Sequence, residues 1–362
     1  LLWVSVAVLL LVLLLPVLFL VGTWVFHLRS ATSVCDRVGT LGSGAAGHFS
    51  LEALGRCQQR EFRTPDGITL RGTYVYQRTP RRRGVLVYCH EFRGDRHVAS
   101  LYTDRLLNEG FDVFAFDFRN HGSSDRMEGY TPRTWTTRYE VLDVLGAINC
   151  LSSGEDADPE GVALMGLSRG GGAALTAARS NEGVWAVITD GAFVSQWVTA
   201  ANIRRFMPQF VRLAPVLVRL PWFLHAFYAT VVHGILARKV NHPCINLGRE
   251  VRHLRQPLLM IHGERDRTVP VELARRLWKR MRNHARLWVV PKSRHNRSIG
   301  FDPERYQRVM LRFLTRHAPR QYGQPRRIPL AIIFKRLVYA DRAYNTRAAA
   351  PTGTPTPATP HV

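Results

Sequence analysis

The chain has 362 residues, 46% of them hydrophobic, and a formal net charge of +23 carried almost entirely by arginine, with Lys239, Lys279, Lys292 and Lys335 as its lysines. Such a length allows one large catalytic domain with ample core, flanked by ends of different character. The charge points either to an anionic surface such as lipid or to an arginine-rich solvated face; no zinc-finger spacing, RNA-binding aromatic motif or continuous basic helix accompanies it, so no nucleic-acid partner is expected.

The first 26 residues, LLWVSVAVLLLVLLLPVLFLVGTWVF, contain no charge. At about 1.5 Å per residue a helix of that length exceeds the roughly 30 Å hydrocarbon core, so residues 1–27 read as a transmembrane helix that Pro16 only kinks. A cleaved signal peptide is the rival, but its apolar region runs to about 7–15 residues. Arg29 and Arg37 follow the span, which by the positive-inside rule puts the large domain on the cytoplasmic side. Residues 28–60 read as a linker and short helix.

Within 61–77, EFRTPDGITLRGTYVYQ, Asp66-Gly67 supplies a tight turn between two alternating runs and predicts a hairpin. GVLVYC at 84–89 is a buried strand that leads into His90-Glu91-Phe92-Arg93-Gly94. A helix through 102–107 follows, then a strand at 112–118, the loop Arg119-Asn120-His121-Gly122-Ser123-Ser124-Asp125, and a helix at 134–151 with Val141, Leu142, Leu145 and Ile148 on one face. Further strands are expected at 184–188, 257–262 and 287–290, with helices at 271–282 and 303–316. Strands separated by helices in this rhythm predict a mostly parallel, doubly wound sheet with helices on both faces.

Between 193 and 256 the rhythm stops. This stretch is rich in aromatic residues and arginine, including Trp197, Trp222, Phe223 and Phe227, and it reads either as extra packed helices or as a cap over the strand ends. As a cap it is expected to line an acyl pocket through Trp222 and Phe227, with Arg204, Arg205, Arg212 and Arg219 against lipid headgroups. Residues 318–362 turn basic and then Pro/Thr/Ala-rich, the composition of a tail without fixed structure.

The chemistry centres on 161–179, GVALMGLSRGGGAALTAAR, where an apolar strand runs into Gly166-Leu167-Ser168-Arg169-Gly170 and then an Ala-rich helix. A serine at the apex of such a turn has an exposed hydroxyl, and the glycines are there because a Cβ would clash with the adjoining strand and helix. The hydroxyl needs a base, and the base an orienting acid. In doubly wound hydrolases these follow in the order Ser, acid, His, and two strand ends supply them: Asp266 after PLLMIHGER and His295 after LWVVPKSR. Glu264 is the runner-up acid, while His121 and His262 read as loop-shaping. The oxyanion needs two backbone donors, for which the N–H groups of Arg169 and Phe92 are the candidates. The five cysteines are scattered; Cys89 and Cys150 read as buried thiols rather than a disulfide framework, and no C-x-x-C pair or His/Cys/Asp cluster suggests a metal or other cofactor.

With these residues in view, 60–317 resembles the α/β-hydrolase superfamily, most closely its serine aminopeptidase-like (monoglyceride lipase-like) and Bem46-like branch. The matching features are His90, Asp117-Phe118-Arg119-Asn120-His121-Gly122-Ser123-Ser124, the turn at Ser168, His262-Gly263-Glu264-Arg265-Asp266, and His295. The resemblance implies an α/β-hydrolase domain at 61–317 with a cap insert at 193–256. It also implies Ser168 as nucleophile, Asp266 as acid, His295 as base, and Phe92 and Arg169 as oxyanion donors. Relatives usually carry Gly after the oxyanion-loop histidine, where Glu91 stands here. The expectation is a membrane-anchored serine hydrolase of a carboxylic ester, lipid ester or related acyl compound. A catalytically weak, membrane-tethered binding module and a peptidase or thioesterase of the same fold are the alternatives.

Overall fold

A computed structural model describes residues 49–153, 157–158, 160–206, 218–240, 244–281 and 283–319. The expected transmembrane helix at 1–27 and almost all of the tail at 318–362 lie outside the described residues. Among the described residues, no helix is long and apolar enough to cross a membrane.

The sheet has eight strands: β1 (Cys57–Arg63), β2 (Thr69–Val75), β3 (Gly84–Cys89), β4 (Phe111–Phe116), β5 (Val162–Leu167), β6 (Val184–Asp190), β7 (Leu258–Gly263) and β8 (Ala285–Val290). Their spatial order is β1-β2-β4-β3-β5-β6-β7-β8, with β2 antiparallel to both its neighbours and the other pairs parallel. The fold is therefore the expected α/β architecture, a mostly parallel doubly wound sheet. Strands β3, β4, β5 and β7 are buried along their whole length. That is why they read as continuous apolar runs rather than alternating ones. The one acid in these four strands, Asp112 in β4, is satisfied by the Tyr74 hydroxyl at 2.6 Å and the Gln77 N–H at 2.7 Å.

The helices that flank the sheet are α1 (Ser100–Asn108), α2 (Arg138–Ser152), α3 (Arg169–Ser180), α4 (Ser195–Phe206), α5 (Trp222–Val240), α6 (Val271–Trp278) and α7 (Pro303–His317). Helix α2 begins at Arg138, not 134, because Thr137 caps it: its hydroxyl accepts from Tyr139 N–H while Glu140 reaches back to the Thr137 N–H at 2.7 Å. On its inner face Asp143 is buried and Leu142 only half-buried, because Asp143 is the partner of Arg119. Strand β4 stops at Phe116, short of the expected 118, because Asp117 turns away to receive Arg96 N–H and Ser123 N–H. The first strand starts at Cys57, inside the expected linker, and β6 runs on to Asp190.

From β3 the chain steps to β4 on one side, and from β5 it steps to β6 on the other. The connections therefore diverge at the carboxyl ends of β3 and β5 and leave a crevice there, the position at which doubly wound sheets hold ligands.

Candidate active site

Ser168 occupies the step from β5 into α3 with φ +49° and ψ −112°, a conformation a side-chain-bearing residue holds only under constraint. The constraint is local. Ser168 N–H donates to Asp190 C=O at 2.7 Å, and a Cβ on Gly170 would overlap the carbonyls of Cys89 and His90. The same close approach seats the loop after β3 against the start of α3. It brings the Phe92 segment beside Arg169, whose guanidinium carbon lies 5.3 Å from the Phe92 ring centroid. Among the hydrogen bonds of the described residues, the N–H groups of Phe92 and Arg169 donate to no protein acceptor.

The three residues expected to act together are brought together. Ser168 Oγ is 2.8 Å from His295 Nε2, and His295 Nδ1 is 2.6 Å from Asp266 Oδ2. Asp266 is buried at the carboxyl end of β7, with its second oxygen taking Thr268 N–H and Val269 N–H, each at 2.8 Å. Glu264, two residues earlier, is exposed and accepts the Lys292 N–H, away from His295.

The remaining histidines near strand ends hold loops. His90 has Nδ1 2.6 Å from Glu91 C=O, while Nε2 accepts from Phe118 N–H at 3.1 Å, so the Nδ1-protonated tautomer joins the loops after β3 and β4. Burial holds its pKa down at about 3. His121 sits 2.9 Å from Arg119 C=O and 3.3 Å from the Arg169 guanidinium; it too is held at about 3, by burial and then by the Arg169 charge. His262 donates to Val269 C=O at 2.8 Å, bracing the turn that presents Asp266. Glu91 is buried, its Oε2 has no hydrogen-bond partner among the described residues, and burial raises its pKa.

The Asp117-to-Ser124 segment proves to be a loop clamp. Asp117 forms an ion pair with Arg96, and Ser124 Oγ donates to Asp117 C=O at 2.6 Å. Gly122, at φ +47°, lies so close that a Cβ would overlap the Asp117 carboxylate. Arg119 is buried between Asp143, at 2.6 Å, and Asp66 of the β1–β2 turn, at 2.7 Å.

Sequence reasoning used only the backbone of Arg169 and missed its side chain. The guanidinium is fully buried, 3.3 Å from Glu140, with Tyr130 donating to the same carboxylate, and it faces the rings of both Phe92 and Phe118. Asp190 was missed as well. It is buried behind His295, bonded by Ser298 Oγ at 3.2 Å and Tyr306 OH at 3.1 Å, and burial pushes its carboxyl up to about 7. Only its place at the end of an apolar run marked Asp190 in the sequence.

The insert packs α4 against α5 and touches the loops at the carboxyl ends of the strands. Arg205 donates to Arg267 C=O, the residue after Asp266, at 3.0 Å, and the Trp135 and His233 rings meet at 5.5 Å. The expected pocket role of Phe227 is not what the geometry gives. Phe227 points outward with 69% of its surface exposed, because His225, Ala229 and His233 form the buried face of α5. Trp222 is half-buried, with its ring 5.2 Å from the Arg276 guanidinium carbon. Of the cysteines, Cys89 is buried as expected and Cys150 only half-buried; Cys57, Cys89, Cys150 and Cys244 are all free thiols.

The model of the alpha/beta hydrolase family matches residues 86–309, a span that holds Ser168, Asp266 and His295. Human protein ABHD12B is 29% identical over 206 residues, 55% of this chain and 50% of that protein, so the chain spans about half the length of this relative. The uncharacterized protein YfhR of Escherichia coli (strain K12) is 26% identical over 241 residues, 65% of this chain and 72% of that protein. The thiohydrolase aneE of Aspergillus aculeatus is 26% identical over 159 residues, 44% of this chain and 48% of that protein. Among solved structures, the Pyrococcus furiosus esterase Pf2001 superposes with a TM-score of 0.58 at 22% identity, over 75% of this chain and 95% of that one, a likeness of fold.

Proposed function

The chain belongs to the alpha/beta hydrolase family, and from that premise we propose that it is a serine hydrolase cleaving a carboxylic ester or related acyl compound through an acyl-enzyme. The observation that carries this reading is the pair of hydrogen bonds from Ser168 Oγ to His295 Nε2, at 2.8 Å, and from His295 Nδ1 to Asp266, at 2.6 Å. In this reading Ser168 Oγ attacks the substrate carbonyl carbon while its proton passes to His295 Nε2. The tetrahedral oxyanion is held by the N–H groups of Phe92 and Arg169. The intermediate collapses as the C–O bond to the leaving group breaks, and His295 returns the proton to the departing alcohol. Water, deprotonated by His295, then attacks the acyl-enzyme and releases the acid. Asp266 keeps the imidazole in the tautomer that leaves Nε2 free to accept.

Oxygen and sulfur leaving groups both suit the mechanism, and we place esters first. Residues 1–27 serve, in the same proposal, as a membrane anchor for this domain.

A fluorophosphonate probe tests the nucleophile. Wild type should be labelled and Ser168→Ala should not; equal labelling of the two would remove Ser168 from the mechanism. Carbonate extraction tests the anchor, since an anchored chain stays with the membrane pellet and a peripheral one is released.

A further inference from the structure

We propose that the outward face of α5 docks on the surface of an anionic lipid bilayer. Phe223 and Phe227 are 66% and 69% exposed, and Leu220, Leu224 and Val231 are exposed beside them. Positions 223, 227 and 231 recur at four-residue intervals and share one helical face. The opposite face, carrying His225, Ala229 and His233, is already buried against the domain. An apolar face of this extent on a helix whose other side is buried calls for a partner.

The charge around the face selects lipid as that partner. Between Asp190 and Glu250 the sequence has no acidic residue, while Arg204, Arg205, Arg212, Arg219, Arg238, Lys239 and Arg249 fall in the same stretch. Arg205 and Arg219 are exposed at the ends of the two helices. Aromatic and aliphatic side chains on one face, in a stretch of sequence with several arginines and no carboxylates, is the pattern of a segment lying in the headgroup region. There rings enter the acyl boundary and basic residues are drawn to an anionic surface. The seat of α5 near the carboxyl ends of the strands, through Trp135 and His233, puts such a surface on the same side of the sheet as Ser168. The docking stands on this geometry and is independent of the catalytic reading.

The test uses the full chain with vesicles whose lipids carry bromine on the acyl chain. Phe227→Trp adds a fluorophore to the face, and Arg286→Trp adds one at the exposed start of β8, the opposite end of the strands. Acyl-chain bromine should quench Phe227→Trp well beyond wild type, about twofold more with phosphatidylglycerol present than in pure phosphatidylcholine, and should leave Arg286→Trp at the wild-type level. No added quenching in Phe227→Trp, or equal quenching in Arg286→Trp, overturns the proposal. In a second measurement the double variant Phe223→Glu, Phe227→Glu should lose about tenfold in hydrolysis of an ester carried in the vesicles while keeping its rate on a soluble ester. If wild type instead sediments as a dimer that this variant abolishes, the face belongs to a second copy and the proposal fails. The quenching needs no turnover, so an inactive wild type would count against the catalytic reading and leave the docking result to stand by itself.

Discussion

Asp266 divides its two carboxylate oxygens between different tasks: Oδ1 takes the backbone N–H groups of Thr268 and Val269, and Oδ2 faces His295 Nδ1 at 2.6 Å. Because one oxygen is fixed by the turn, the other is presented in a single direction. The same turn leaves Glu264 in solvent.

Asp266→Asn keeps an oxygen for the turn and replaces the acceptor on His295 with an amide donor, so the imidazole is expected in the wrong tautomer. The variant should fold normally and lose about four orders of magnitude in kcat on a p-nitrophenyl ester. Glu264→Gln should stay within about twofold of wild type on the same assay, since only the Lys292 N–H loses a charged acceptor. A larger loss in Glu264→Gln than in Asp266→Asn would reverse the assignment.

Arg169→Met leaves the Glu140 carboxylate buried without its cation and frees the Phe92 ring that the guanidinium faces. Breaking one side of such a pair costs about 3 kcal/mol, measured as a lower urea midpoint. Adding Glu140→Gln should restore part of that stability, because the stranded charge is gone. The activity of the double variant should remain below wild type, since the loop that carries the Phe92 N–H is still unsupported.

Asp190 gives a pH dependence of stability with a definite sign. Its carboxyl rises from 3.8 to about 7 on folding, chiefly through burial. Between these values the folded chain holds a proton that the unfolded chain has released, so this residue makes stability fall as pH rises through that window. The slope is at most about 1.4 kcal/mol per pH unit. Urea midpoints from pH 5 to pH 8 should therefore decline less steeply in Asp190→Asn than in wild type. A parallel decline would show that Asp190 does not titrate there.

Phe227→Ala should leave kcat/KM for soluble p-nitrophenyl esters of two to eight carbons within about twofold of wild type, because the ring points away from the domain. A loss that grows with acyl length would return Phe227 to the pocket lining that its composition first suggested.

The continuous apolar runs of β3, β4, β5 and β7, the Asp66-Gly67 turn, and the strand-turn-helix around Ser168 were all legible in the sequence. Each is encoded within a dozen residues, by burial period, by turn chemistry and by glycines where a Cβ has no room. His295 as the base also followed from chain order and strand ends, which favoured Asp266 as the acid but kept Glu264 as its rival. Element ends were read less well, since a cap such as Thr137 or a clamp such as Asp117 overrides the apolar pattern that suggested residues 134 and 118.

Three things were left to the tertiary structure. One was which of two carboxylates, Asp266 or Glu264, meets a histidine 29 residues away. Another was that the Arg169 side chain, next after the nucleophile, is buried against Glu140 and Phe92. The last was which side of α5 faces the domain: the helix is apolar around most of its circumference, so its sequence carries no period to distinguish Phe227 from Ala229. Local sequence determines conformation through contacts along the chain. The direction of these side chains depends on partners brought close by the sheet order, and no sequence period records that order.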